Sequence, residues 1–467
     1  VSSIPLSLGA YKRSLSPEAI LLNAMAEPAP TQQEKPVAIR ARSGFDLFAE
    51  VGSSPLRALF AKQGLFGDRA VIVMGTSVHL LASNAAVSTL AGSVVGQEPV
   101  DIDGGQDADL ESEAWIATGS ALYRATETDV TVDPFPAIGG AGASSVCCHR
   151  GFVIATEAGT DVVFVRVPGD GTWQQLSFIS AEYSPDKVVA VRRLGEQVWL
   201  LGEDTAEAWA LSADASPPMA PYGGLVFDYG CLSRSAAVAL PGAIIWVDNA
   251  HQVQITNGGA PVVISDHGLS EQIRSIDPGD LRGSWYQRDG HKYYQLTLGN
   301  VATWVYDLTT KQWARRSTLG LPYSRISAYA SIADVVLAGN AVTSQIYRLN
   351  SDVRSDAGDS FPVEFTAFAE VLEGQVQCSN LELICQVGDA PWNGDGSDPQ
   401  IGMRYSDDGG ESWSGWRFRP LGKAGQSRVR VRWNALGTIK APYGRIFHFR
   451  AADPVGRRFS DLRLNVS

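Results

Sequence analysis

The sequence predicts an all-β protein: a β-propeller of about six or seven blades, an extended N-terminal arm before it and a β-sandwich after it. Three observations carry this. Between Asp68 and Leu349, short runs rich in β-branched and aromatic residues recur, each closed by Gly, Asp or Asn, with no helical period between them. These turn-bounded clusters group into units of roughly 40 residues, the spacing of propeller blades. A polar, turn-prone break at 350–360 then precedes a last set of alternating runs.

Composition bounds the function. The chain has 467 residues, 45% hydrophobic and 19% charged, with 47 Gly and 24 Pro spread without period, which excludes disordered, collagen-like and coiled-coil classes. Thirty-eight bases against 50 acids leave a net charge of −12. That sign disfavours a sequence-reading nucleic-acid binder, whose affinity rests on neutralising phosphates. The five cysteines, Cys147, Cys148, Cys231, Cys378 and Cys385, contain no CxxC pair, pointing away from a disulfide framework or zinc ribbon and towards a reducing compartment of synthesis. Apolar runs such as Ala236 to Val247 are interrupted, here by Pro241 and Gly242, and fall short of the ~20 residues of a membrane span. No secretory signal is visible either.

Residues 1–50 carry Pro5, Pro17, Pro28, Pro30 and Pro36 without a strand-length apolar run, which predicts an extended arm lying on something else, with one short helical turn near 17–25. Residues 51–350 are the expected propeller. Ala114 to Thr118 pairs with Ala121 to Ala125, Val188 to Arg192 with Gln197 to Leu201 and Ala206 to Leu211, and Tyr293 to Leu298 with Thr303 to Asp307. Trp304 to Trp313 reads as strand, Thr309-Thr310-Lys311 turn and returning strand, the outer hairpin of a blade. Its aromatics, with Trp199 and Trp209, are expected to bury area between blades. Residues 351–467 are the expected sandwich, from the alternation in Val363 to Val371, Leu381 to Val387, Gly402 to Tyr405, Arg428 to Trp433 and Ile446 to Arg450.

The sharpest local motif is YSDDGGESW, in which Ser406, Asp408, Gly410, Ser412 and Trp413 resemble the Asp-box of sialidases and other propellers, with Ser412 where Thr is usual. Its mechanics are those of a structural turn: carboxylate and hydroxyl oxygens satisfy turn amides, glycine permits positive φ, and the Trp packs beneath. Glycosidase chemistry would further need an arginine cluster and an activated tyrosine, which one such box does not supply. Cys147, Cys148 and His149 are consecutive, so on a strand they face opposite ways and do not converge on one ion. The six histidines form no HxH or HExxH, and neither GxSxG nor GxxxxGK[ST] occurs. No catalytic, metal or cofactor residue is assigned, and the chain reads as a non-enzyme.

Two charge blocks stand out. Glu98 to Glu113 holds seven carboxylates (Glu98, Asp101, Asp103, Asp107, Asp109, Glu111, Glu113) and no base, which reads first as a solvated loop. Ser414 to Ser467 holds 12 Lys and Arg against 2 Asp, or +10, leaving −22 for the first 413 residues. Arg428, Arg430 and Arg432 alternate with Val429, Val431 and Trp433, placing the arginines on one strand face. That face is a candidate contact with another subunit or partner.

Collinear stretches resemble the packaged-DNA stabilisation proteins, the tail hub or nozzle family of short-tailed bacteriophages. They are IPLSLGAYKRS (4–14), ILLNAMAEP (20–28), RARSGFDLF (40–48), VWLLGEDTAEAW (198–209), FDYGCLS (227–233), IIWVDNAHQVQITNGG (244–259), DGHKYYQLTL (289–298), TWVYDLTTKQWARR (303–316), YSDDGGESW (405–413), RPLG (419–422), VRWNALG (431–437) and DPVGRRF (453–459). Ser43 stands where that family usually has proline, and the loop at 389–400 is longer than its pattern. The resemblance implies a virion protein made in the host cytoplasm: a homohexameric ring below the portal and its adaptor, extending the channel, retaining packaged DNA and conducting it during ejection. Its implied partners are further copies of itself, the portal-adaptor protein, tail fibre or tailspike and tail needle or plug proteins, and duplex DNA passing without sequence recognition. The alternative is a receptor-binding or glycan-cleaving, sialidase-like tail protein. A host extracellular lectin-like propeller is disfavoured by the cysteine count.

Overall fold

Ala70–Met74 and Ser77–Leu81 show why the strands form where they do. AVIVM and SVHLL are apolar and largely β-branched, buried on both faces, and joined across Gly75 at φ 56°. Continuous apolar runs recur in Ser112–Ala117, Phe152–Glu157, Gln197–Gly202 and Ala243–Val247, because the middle strands of a blade are covered by a neighbouring blade on each side. The computed structural model describes residues 2–4, 6, 9–10, 19–28, 37–139, 142–174, 177–180, 186–212 and 216–466.

Six four-stranded antiparallel units follow in order, with innermost strands Leu56–Phe60, Asp101–Gln106, Ala143–His149, Val188–Leu194, Val238–Leu240 and Leu281–Arg288. The seventh blade has Ile326–Ile332, Val335–Asn340 and Gln345–Asn350, and takes its fourth strand, Gly44–Glu50, from the N-terminal part of the chain. This closes a seven-bladed ring. Gly44 opens the closing strand, where a Cβ would stand 2.3 Å from the Ser355 carbonyl oxygen, so only glycine fits. The innermost strands contact one another around the ring.

The C-terminal domain is a sandwich of two sheets. One carries Gln375–Cys385 between Val431–Lys440 and Arg458–Val466; the other orders Val363–Ala369, Arg445–Ala451, Gln400–Ser406 and Arg417–Pro420. Phe365 stacks on Phe449 (4.9 Å) and meets Phe459 at a tilt (4.7 Å) between them, with Trp433 and Leu381 fully buried alongside.

The described part of the N-terminal fifty residues differs from an arm with a helical turn. It is strand: Leu21–Leu22 and Ala24–Pro28 lie where the turn was expected, while 11–18 fall outside the described residues. Leu22 pairs in parallel with Arg315 of blade 6 and antiparallel with Glu364 of the sandwich, so one sheet of nine strands runs through both domains. Val37–Ala41 and Ala24–Pro28 extend the other sandwich sheet. The prolines obscured these strands because short edge strands tolerate proline. The single described α-helix, His267–Arg274, follows blade 5 and is capped by the Asp266 carboxylate accepting from the Leu269 amide at 2.7 Å. Trp304 donates to Gln272 of this helix and Trp313 to the Ile264 carbonyl, so this hairpin of blade 6 packs as expected for an outer hairpin.

Candidate functional site

The acidic block is not a solvated loop. Asp101–Gln106 is the innermost strand of blade 2, and of the seven acids Glu98, Asp109 and Glu111 are exposed while Asp101, Asp103, Asp107 and Glu113 are partly or fully buried. An innermost strand has no backbone partner on its axis-facing edge, so alternate amides there need acceptors. Asp101 and Asp103, two residues apart, accept from the amides of Val146 (3.1 Å) and Cys148 (2.8 Å), two residues apart on blade 3. Ser145 donates to Asp101 and accepts from the Val191 amide of blade 4. Arg192 returns across the axis to clasp Asp101 at 2.8 and 3.0 Å, and also donates to the Ala237 and Arg234 carbonyls. Arg234 bonds the Pro99 carbonyl at 3.1 Å. Blades 2 to 5 are thus tied on their inner side by one ion pair, Arg192 with Asp101, and by hydrogen bonds to backbone amides and carbonyls. Glu113 meets Arg124 while buried, and burial pushes its carboxyl above the usual range. Sequence reasoning missed Arg192 and Arg234, which lie in unremarkable positions far along the chain. The available signal was Asp-x-Asp facing Val146 and Cys148 at matched two-residue spacing.

Cys147 and Cys148 sit on opposite faces of Ala143–His149, the first packed with Val191 and Val198, the second with Trp115 and Phe164. Burial pushes both thiols far up, leaving them unreactive. His149 is buried, with its titration lowered by burial and by Arg193. Among the described residues no group of three or more His, Cys, Asp or Glu is placed to hold a metal ion.

The Asp-box-like turn joins Gln400–Ser406 to the segment before Arg417–Pro420. The Ser406 hydroxyl donates to Asp408 at 2.7 Å and accepts from the Gly410 amide at 2.9 Å, while the Ser412 amide donates to both Asp408 carboxylate oxygens at 3.0 Å. Hydrogen bonds from Ser412 and Ser406 hold the Asp408 carboxyl far below its ordinary value. Gly410 has φ 100°. Trp413 departs from the expected buried position: it is half-buried, with its ring edge on His448 (5.4 Å) and Arg404 over it at 4.6 Å. Arg404 also lies over Trp416 at 4.7 Å and donates to His448, which meets Glu364 at 2.9 Å.

The three arginines lie at the start of Val431–Lys440. Arg428 and Arg430 precede the strand, and Arg428 is exposed. Arg430, 69% exposed, grips Glu382 at 2.7 and 3.2 Å; Arg432 donates to Asn380. Glu382 lies between Arg432 and Arg463 in the sheet register. The Arg430 hydrogen bond lowers its titration. Val431 and Trp433 point inward, as the alternation requires.

A ring of blades closed by an N-terminal strand and a sandwich fused to it through a shared sheet define the class: a propeller–sandwich protein. Residues 3–354 match the family model described as bacteriophage P22 Gp10, beta-propeller, and residues 363–467 the one described as bacteriophage P22 Gp10, beta-sandwich. The chain belongs to the bacteriophage P22 Gp10 family, a family of phage structural proteins, which implies a component of the virion. Solved structures of similar fold include the computationally designed Ika8 protein (9% identity, TM-score 0.40, 65% of this chain and 99% of that one). Others are the WD40 β-propeller domain of Doa1 (12%, 0.41, 66% and 96%) and Raptor of Chaetomium thermophilum (11%, 0.45, 66% and 30%). At these scores they carry no further argument. No curated protein matches the sequence. No helix among the described residues is long and apolar enough to cross a membrane.

Proposed function

We propose that the chain is the subunit of a six-membered tail hub, or nozzle, ring that continues the portal-adaptor channel, retains packaged DNA and conducts it during ejection, without catalytic activity of its own. The observation that carries this is the family match across both domains, 352 residues of propeller (3–354) and 105 of sandwich (363–467). The inner strands support a conduit built between copies: Arg192 and Asp101 bridge blades 4 and 2 at 2.8 Å, so these charged groups of the propeller are spent on contacts with each other. An acidic bulk suits a lumen that must not retain phosphates, since each neutralised phosphate adds affinity. A heterologous ring needs two complementary patches per subunit, and the basic outer face with Arg428, Arg430 and Arg432 is one candidate, facing acid on a neighbouring copy or another tail protein. Adaptor, tailspike or fibre, and plug proteins are the expected neighbours. Arg404 covering Trp413 and Trp416 favours a structural use of these rings over a glycan platform.

Imaging of assembled particles tests the reading. Six copies at the portal vertex are expected; three copies, or a position at fibre tips, overturn it. Polysaccharide turnover abolished by one carboxylate substitution in a folded variant would overturn the non-catalytic part.

A further inference from the structure

Where the chain passes from blade 7 into the sandwich, a cleft of about 170 Å³ is lined by five arginines, Arg40, Arg42, Arg354, Arg457 and Arg458, and one acid, Glu27. They converge from an N-terminal strand, the interdomain segment and the start of the last strand. Arg42 pairs with Asp356 at 2.5 Å, Arg40 with Asp289 at 3.5 Å, and Arg458 with Glu27 at 3.9 Å. Among the described residues, Arg354 and Arg457 have no carboxylate within 4.0 Å. These two guanidinium groups lack a direct carboxylate contact: Arg354 donates to the Ser351 carbonyl, and Asp356 and Asp453 act on Arg457 only from farther off.

Arg457 is 3% exposed. Its Nη atoms donate to the carbonyls of Phe361 (2.6 Å) and Arg354 (3.2 Å), and its Nε–H has no acceptor. Both Arg457 and Arg42 lie over the Phe361 ring, at 4.4 and 3.8 Å. Burial, with Arg42 and Arg354 nearby, pushes the Arg457 guanidinium down to about 9. A desolvated guanidinium with a free donor beside a second unpaired one gains strongly from an oxyanion. The cleft has room for a tetrahedral ion with several waters.

We propose that this cleft binds a dianionic oxyanion of the phosphate class through Arg354, Arg457 and Arg458, and that the bound ion ties the sandwich to the propeller. The phosphoryl chemistry is shared by free phosphate and by DNA, but a duplex backbone does not reach a side chain as buried as Arg457, so the free ion is the ligand. The site is independent of the ring reading, whose failure would leave it standing.

Calorimetric titration of the full chain with inorganic phosphate, at ionic strength held constant with chloride, tests it. One site per chain is expected, with Tm rising as phosphate is added. Arg457→Gln also removes bonds to backbone carbonyls and thereby threatens folding. Arg458→Gln, at a side chain 58% exposed, is therefore the deciding variant and should lose about tenfold in affinity, the factor that corresponds to ~1.4 kcal/mol, while its circular dichroism is unchanged. Absence of binding to the wild-type chain, or equal affinity in a folded Arg458→Gln, overturns the proposal. So does a short duplex that binds the cleft when free phosphate does not.

Discussion

Between Glu98 and Glu113 seven acids stand without a base, and between Ser414 and Ser467 twelve bases stand against two acids; the fold uses these blocks in opposite ways. Asp101, Asp103 and Glu113 turn inward to amides and arginines of their own and neighbouring strands. The basic block mostly stays at the surface: Arg430, Arg450, Arg458 and Arg463 are roughly half exposed or more. Its exceptions, Arg445 and Arg457, are buried and bonded to backbone carbonyls. The difference lies in edges. Innermost propeller strands present unpaired amides to a narrow axis, and carboxylates are their natural acceptors, whereas the outer face of a sandwich sheet has its backbone already paired and leaves side chains to water. A charge run therefore takes its role from the backbone groups its strand must satisfy.

The largest effect should come from breaking the inward block. Asp101→Ala leaves Arg192 buried without its counter-charge and the Val146 amide without its acceptor, and should cost about 3–5 kcal/mol in urea unfolding. Glu382→Gln, which weakens a pair whose arginine is mostly exposed, should lower the unfolding midpoint far less. Equal losses in both would mean that the inward and outward acids are held alike.

Trp413→Ala should cost about 1–2 kcal/mol, less than a buried tryptophan, because the ring is half exposed and one cation–π contact goes with it. Differential scanning calorimetry of the folded variant measures this, and a loss above about 3 kcal/mol would place the ring in the core.

A pH profile sharpens the comparison further. Burial raises the Glu364 carboxyl, but the hydrogen bond from His448 and the charges of His448, Arg450 and Arg404 outweigh it and set it below its ordinary 4.5. A carboxyl lowered on folding contributes stability that is present above 4.5 and lost as pH falls through the lower folded value. Glu364→Gln should lose that contribution at neutral pH and flatten the acid limb below 4.5, so that the stability curves of variant and wild type converge in acid. Unchanged acid sensitivity would assign that limb to other groups.

Charge reversal of Arg428, Arg430 and Arg432 to Glu should have the smallest effect on the isolated chain and a visible one on assembly. Thermal unfolding is expected to fall only modestly, since reversal at 430 and 432 sets like charges beside Glu382, while incorporation into particles weakens at low salt and partly recovers as salt screens the repulsion. Intact assembly with an altered rate of DNA release would place these residues on the channel instead.

Much of the fold was legible. The spacing of apolar runs and turns carries the blades because a two-residue period and Gly or Asp turns are local properties, and the polar break at 350–360 marks where the chain leaves blade 7. The Asp408 turn was readable for the same reason, since all its partners lie within a few residues. Trp413 was placed wrongly because its surroundings, Arg404 and His448, come from other strands. The arm was legible only as extended chain: that Leu21–Leu22 joins blade 6 to the sandwich, and that Gly44–Glu50 closes blade 7, depends on pairing over some three hundred residues.

The sequence by itself determined that this is an all-β chain of repeated hairpins followed by a second β unit, because strand period and turn chemistry are written within each short segment. Tertiary structure alone decided what closes the ring, which acids face inward and which arginines lack a counter-charge. These outcomes rest on which unpaired edge or buried cation each long-range pairing brings against them, and no local pattern encodes that.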